Sequence, residues 1–575
     1  MNKLIYTLAV STILTISGAP VLAAESGKVT LIHMGDVHGH LIPRPNLRSD
    51  GNGLEQGGLA RMYTKIQEIR KQNKYSILFN TGDTTQGSAE AMYTRGQALV
   101  DVVNKFGVEV FTPGNWDYVY GTERFMELFA GTAPIAPWNA IAANLYYDGE
   151  PYAAKTGQRV LPAYMIKKVG NLKIGIFSIT TDRGPQVVGK TVTKGFKFTP
   201  GDVETKEMVK LLREQEHVDL VIMASELGVS KNIYLAETVP GIDILLASDQ
   251  HEITRKPIVS SNGTVVVEEG QDGIVLGELE VHVKDGKMQN WTWKLHTIDS
   301  KIKEDANIAK MIKDIRKTFV TGSDFKQHIN PFNNTKLERP IDTVVGYTKI
   351  ALHRNNFSHE NMPAVIEGSA HDFLTDAFRA QTGATIGAIR GFRYGTHIAP
   401  GPIKMEDLYH FMPIGAMIAR GNLKGKAIKG QIENACDGSL NPKVFGWTGG
   451  WLFNFSGLTM NLHPYAEKGA RASGIKIFNA KTSTWEPLNP EADYSYASYY
   501  YQRDPDLINT LPAENITVLA DEQGKPLDGV EVVVRYLASL PDKTANPDLN
   551  RIKLLMPLPL SRDGSPEMQP WRGAQ

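Results

Sequence analysis

Five times between residues 28 and 300, a short apolar run stops abruptly at small, acidic, histidine or amide residues. The runs are "KVTLIHMGDVHGH", "YSILFNTGDTTQGS", "VEVFTPGNWD", "VDLVIMASELG" and "IDILLASDQHE". Each apolar part has strand length and is rich in Val, Ile, Leu and Phe, the composition of a strand buried on both faces. Helical patterns lie between them, at Leu59 to Gln72, Ala98 to Phe106, Thr122 to Phe129 and Thr205 to Glu216. Such alternation predicts an α/β domain of layered sheets, with its ligand site at the carboxyl ends of the strands.

What gathers at those ends is a set of hard donors. Asp36 and His38 come from the first loop, Asp83 from the second and Asn115 from the third; Glu226 follows the fourth strand, and Asp249 and His251 the fifth. Carboxylates, imidazoles and a neutral amide oxygen suit divalent ions of the Mg, Mn, Fe or Zn type. One carboxylate shared by two ions would hold them roughly 3.5–4 Å apart, the geometry of in-line displacement. Such a pair lowers the pKa of a water held between the ions. Taken singly, each residue has a plainer role: an Asp after a strand is ordinarily a turn former or helix cap, and Asn in "PGN" a turn residue. Five such loops in one domain argue for a common site.

A chain of 575 residues is too long for one ordinary core, which predicts two large domains. Its formal net charge of zero argues against nucleic-acid polymer or an anionic membrane as a partner. The opening "MNKLIYTLAVSTILTISGAPVLAAES" reads as an export signal over 1–23: Lys3, an apolar stretch Leu4 to Ile16, and the small-residue site Val21-Leu22-Ala23. The apolar stretch is short for a membrane anchor, so an exported protein, periplasmic or secreted, is expected. Cys436 is the only cysteine; it excludes an intrachain disulfide and sits in a helical pattern as a small core residue.

On these motifs the chain resembles the calcineurin-like metallophosphoesterases, and within them the exported 5′-nucleotidase family. "DVHGH" resembles the family's D-x-H opening, "GDTTQGS" its G-D-x-x-x-G-S segment, "GNWD" its G-N-H-E/D segment, "SELG" its S-H-x-G stretch and "SDQHE" its G-H-x-H. The resemblance implies a four-layered α/β/β/α metallophosphoesterase domain over 24–300, a linker helix region over 301–340, a smaller α/β 5′-nucleotidase C-terminal substrate-recognition domain over 341–560 and a tail over 561–575. Carried across residue by residue, Asp36, His38 and Asp83 would bind one metal. Asp83, Asn115, Glu226 and Asp249 would bind the other, and His251 would return to the first.

The chain departs from the family's pattern at three points. Trp116 stands where the family has its catalytic histidine, and Val119 where an acid orients it. Glu226 and Asp249 replace two metal-binding histidines. A missing general acid typically costs ~10²–10⁴ in rate. The candidate catalytic residues are therefore Asn115, Trp116 and His40, with His40 or Arg44 as a substitute donor. Two imidazoles exchanged for carboxylates shift preference from Zn toward Mn, Mg or Fe, with Mn favoured.

From Ile341 onward, "DTVVGYTKIALHR", "HDFLTDAFRAQTGATIGAIRGFRYG" and "GPIKMEDLYHFMPIG" follow the nucleotidase C-terminal pattern. Arg390 and Arg393 flank Gly391 and Phe392 after a strand-like run, where two guanidinium forks could meet an anion. Tyr501 is, by the family pattern, the base-stacking residue, whereas Ile414 and Ala416 occupy the places of a second stacking phenylalanine and an asparagine. The expected function is two-metal hydrolysis of phosphate esters, nucleotides or other small phosphomonoesters. The alternative is a thiosulfohydrolase acting on a thiosulfonate held by a carrier protein, which "GFRYGT" and the tryptophan of "GNWD" favour. A third is a metal-binding protein whose catalysis has decayed.

Overall fold

The computed structural model describes residues 27–46, 54–353, 367–390, 397–441, 453–501, 504 and 510–557. The segment read as an export signal and the 561–575 tail lie outside them.

Two sheets form the first half. One runs in the order Lys287–Thr297, Val275–Lys284, Gly27–Met34, Ser76–Asn80, Val110–Phe111, its last three strands parallel. The other runs Ile258–Val259, Val265–Glu268, Ile244–Ala247, Leu220–Ser225, Leu172–Ile179, Tyr164–Val169, its four central strands parallel. Side chains alternate between two destinations, as a pleated strand requires. Leu31, Ile77 and Phe79 pack between the sheets against Ile174, Ile222 and Leu246. Ile32 and Leu78 face outward to the helices Leu59–Gln72 and Gln97–Val103. Val221 and Met223 face Asp202–Lys210 and Val229–Thr238 on the far side. The order is helix, sheet, sheet, helix: the four layers expected. The strand buried on both faces is why its sequence reads as unbroken apolar.

The helix Ala306–Arg316, capped by Asp305, joins this half to a second one. There a five-stranded sheet, Phe453–Ser456, Ile386–Arg390, Asp493–Tyr500, Met417–Lys424, Glu514–Val518, carries Ser369–Thr382 and Gly529–Ser539 on one face and Gly425–Leu440 on the other. One apolar cluster runs across the junction, from Trp116 and Tyr120 to Ile414 and Tyr499. Buried charges bind it as well. Arg316 pairs with Glu90 of the first half and Glu406 of the second, and Arg44 with Glu406 and Asp407. No described helix is long and apolar enough to cross a membrane.

Candidate metal centre

The carboxyl ends of both parallel strand sets meet on one edge. There Asp36, His38, Asp83, Asn115, Glu226, Asp249 and His251 are all at least 90% buried or carry side chains with under a tenth exposed. Two groups of ligand atoms lie within 4.8 Å of one another: Asp36 with His38 and His251, and Asp36 with Asp83 and Glu226. Asp36 is common to both. Asp83, the shared carboxylate in the sequence reading, also approaches the first group, its Oδ2 3.8 Å from His38 Nε2. The two imidazole Nε2 atoms of His38 and His251 stand 3.0 Å apart. His38 Nδ1 contacts Gln86 Oε1 at 3.2 Å, an outer bond that leaves Nε2 to face the ligand group.

The donor set fits divalent ions. Glu226 Oε1 and Asn115 Oδ1 come from two loops, and each is a buried oxygen without a hydrogen-bond partner, while Asp36 Oδ1 faces the Nε2 atoms of His38 and His251 at 3.6 and 3.5 Å. Orphaned oxygens at such depth cost about 1–3 kcal/mol each unless a cation meets them. Charges follow the same logic. Burial alone would raise Asp36, but His251 and His38 hold its carboxyl below the usual range. Burial, with Asp83, Asp36 and Asp249 as like-charged neighbours, pushes Glu226 well up. Burial likewise raises Asp83. Burial disfavours a charged His38, yet Asp36, Asp83 and Asp272 push it up to about 9. Burial thus holds Asp83 and Glu226 toward their neutral forms, and a bound cation would favour the charged ones.

Its backbone is strained. Asp36, His38, Asp83, Asp249 and His251 have φ of 45°, 45°, 46°, 81° and 60°, all left-handed. Such conformations cost of order 1–3 kcal/mol each and persist where the surroundings over-determine them. Asp36 N donates to Gly82 O at 3.0 Å and His38 N to Asp83 O at 2.9 Å, which lock the first two loops together. Gly114 lies so close to Asp83 that a Cβ would stand 2.2 Å from Oδ1. Asp117 is the clamp that sequence reading passed over: its carboxylate accepts from the amides of Thr84, Thr85 and Gly114.

The remaining candidates divide. Trp116 packs into the core and also lines a cavity of about 350 Å³ with Val119, Val187, Val188, Val192, Ile414 and Tyr501. Both departures from the family pattern in that loop, Trp116 and Val119, thus make one apolar wall. His40 and Arg44 are not among the ion-binding groups. The His40 ring lies 4.4 Å from that of His410, with Nδ1 3.1 Å from Val37 O, and Arg44 is engaged by Asp407 and Glu406. Both belong to the domain junction, where opposite charges and a ring from the second half hold them. Arg390 closes the strand Ile386–Arg390, and Phe392 and Arg393 lie outside the described residues, as does the side chain of Arg390. Sequence reading also missed Arg183, whose Nη2 lies 2.8 Å from Asp249 Oδ2.

Two family descriptions match the chain: "Calcineurin-like phosphoesterase" over residues 29–252 and "5′-nucleotidase, C-terminal domain" over 344–508. The chain is a two-domain metallophosphoesterase of the 5′-nucleotidase kind. It is a hydrolase, and the family implies divalent metal ions. The trifunctional nucleotide phosphoesterase YfkN of Bacillus subtilis is 23% identical over 453 residues; the match takes in 73% of this chain and 28% of that one. A probable 5′-nucleotidase of Treponema pallidum is 25% identical over 597 residues, covering 94% of this chain and 97% of the relative. Among solved structures, the 5′-nucleotidase precursor of Thermus thermophilus superposes with TM-score 0.75 at 20% identity, covering 92% of this chain and 99% of that one. The Thermus thermophilus sulfate thiohydrolase SoxB gives 0.73 at 18% identity, covering 94% and 98%. At such identities these structures establish the shared fold alone.

Proposed function

We propose that this metallophosphoesterase is an exported enzyme that hydrolyses small phosphate monoesters, nucleotides foremost, at a pair of Mn-like divalent ions. The observation that carries the reading is the carboxylate of Asp36, which belongs to both ligand groups and so can tie two ions together. When bound, the ions supply the charge that makes a water nucleophilic and offsets the phosphoryl oxygens. His38 and His251 would hold one ion, and Asp83, Glu226 and the Asn115 amide oxygen the other, with Asp36 between.

The chain's own groups then set the substrate. Trp116 and Tyr501 face one cavity, so a planar leaving group enters between two aromatic side chains. Arg390 and Arg393, by their sequence positions, receive anionic oxygens. Trp116 offers no acidic proton comparable to the family's histidine, which favours esters whose leaving group departs without protonation. The same feature favours the second reading, a thiosulfonate borne on a carrier protein, because a thiolate leaves as the anion.

The test is turnover by metal-stripped protein reloaded with Mn, Mg, Zn or Fe. AMP, p-nitrophenyl phosphate, bis-p-nitrophenyl phosphate and a thiosulfonate conjugate run side by side, with Asp83→Ala as blank. Metal-dependent phosphate release that the blank lacks supports the proposal and ranks the esters. Sulfate release alone assigns the second reading. Bound metal with silence on every substrate would leave an ion-binding protein without catalysis.

A further inference from the structure

The strand Leu172–Ile179 ends in Thr180-Thr181-Asp182-Arg183, a sixth loop on the edge that carries the metal ligands. Its Arg183 guanidinium lies against Asp249, Nη2 to Oδ2 at 2.8 Å. The other oxygen of Asp249 accepts from Asn115 Nδ2 at 2.8 Å. Both oxygens of this carboxylate therefore carry a bond already, whereas Glu226 Oε1 and Asn115 Oδ1, beside it, carry none. Asp249 does not appear in either compact ligand group, although its amide donates to Asp36 Oδ2 at 3.1 Å. Asp182, next to Arg183, is held in turn by Lys231.

We propose that Arg183 is a positioning residue of the second ion half-site: it keeps Asp249 as an outer carboxylate that orients Asn115, and leaves the ion to Asp36, Asp83, Glu226 and Asn115. The inference rests on the two-ion reading of these loops. The chemistry is a relay of fixed orientation. Arg183 fixes Asp249; Asp249 fixes the Asn115 amide by accepting from its nitrogen; the amide oxygen is thereby turned toward the ion. Charge points the same way. Asp36, Asp83, Glu226 and Asp249 place four carboxylates around one half-site, and the guanidinium cancels the one that is not needed. A histidine-to-aspartate exchange at 249 that looks from the sequence like a change of ligand is, in this arrangement, a change of ligand into support.

Isothermal titration of Mn²⁺ into the metal-stripped full chain tests it, with wild type, Arg183→Gln, Asp249→Asn and the double variant Arg183→Gln/Asp249→Asn. Wild type should bind two ions of unequal affinity. Arg183→Gln frees Asp249 and with it the Asn115 amide, so the weaker ion should lose about tenfold or more in affinity. The double variant should bind the weaker ion as Asp249→Asn alone does, because Arg183 acts only through Asp249. Asp249→Asn should still take up two ions at saturating Mn²⁺, since it is not a direct ligand. An unchanged or tighter weaker ion in Arg183→Gln overturns the inference, and so does absence of the second ion from Asp249→Asn at saturating Mn²⁺. Wild type that binds no ion overturns the two-ion reading itself; wild type that binds two, indifferent to Arg183, overturns only the role of Arg183.

Discussion

The backbone amide of Trp116 donates to Asp83 Oδ1 at 2.7 Å, so the indole that stands where the family has its catalytic histidine sits on the same loop that steadies a proposed metal ligand. The bond belongs to the main chain and survives any side-chain exchange. Trp116→His should therefore keep the ion stoichiometry and change only the chemistry at the cavity wall. Val119 provides no acid to orient the new imidazole, so the gain should fall at the low end of general-acid catalysis, about 10² on an alkyl ester such as AMP. p-Nitrophenyl phosphate, whose leaving group needs no proton, should change little. Steady-state rates on both esters check this; equal changes on the two would contradict it.

The domain junction should be worth more than its exposed charges. Arg316 bridges Glu90 and Glu406 with all three side chains mostly buried, at 15%, 6% and 7% exposure. Removing it strands two buried carboxylates, so Arg316→Ala should cost about 3–5 kcal/mol. Lys310 pairs with Asp314 at 2.6 Å, but the two are 76% and 53% exposed, and Lys310→Ala should leave stability almost unchanged. Thermal unfolding of the two variants side by side gives the comparison, and a similar Tm loss in both would refute it.

Acid should undermine the fold partly through buried neutral histidines. Burial pushes His353 down to about 4 and His33 down to about 3. In the unfolded chain each takes up a proton near pH 6.5. The stabilisation from neutral burial is thus complete above about pH 6.5 and declines as pH falls toward the folded value, by about 1.4 kcal/mol per pH unit for each group. His353 lies away from the ligand loops and isolates the effect. Denaturant unfolding of His353→Gln between pH 6.5 and pH 4.5 should show a shallower loss of stability than wild type, and identical slopes would count against this account.

Cys436 should be inert in the native protein. It is wholly buried in the helix Gly425–Leu440, where burial, and then Glu433, push its thiol up to about 12. An aromatic disulfide reagent at pH 8 should label it only at the rate of unfolding, and promptly in denaturant. Rapid labelling of the native chain would mean that this helix opens freely.

Much of the site is legible along the chain, for a physical reason. Asp36, Asp83, Glu226 and Asp249 follow apolar strands that a two-sheet sandwich buries on both faces, so sequence pattern and location coincide. What escapes depends on contacts between distant segments. His40 and Arg44 look like free donors beside "DVHGH", but Glu406, Asp407 and His410, more than 300 residues on, turn them into junction residues. Arg183 escapes because "LKIGIFSITTDRG" mixes lysine and glycine into its strand and ends without a histidine, in an adjacent Asp-Arg pair. Asp249 shows the limit most clearly. Its place in the motif is that of a ligand, and nothing in the motif tells that its two oxygens also meet Arg183 and Asn115.

On the proposed function, Asp36 would serve both ions of one hydrolytic centre. Asp36→Asn keeps the size and the left-handed turn of the residue, since Asn tolerates that conformation, and removes the charge. The decisive measurement is ion content by mass spectrometry and phosphate release from AMP in the same Mn-loaded samples of wild type and Asp36→Asn. The account predicts two ions and turnover in wild type, with fewer than one ion retained and turnover down by about 10³ or more in the variant. A variant that holds both ions and hydrolyses AMP at the wild-type rate would contradict it.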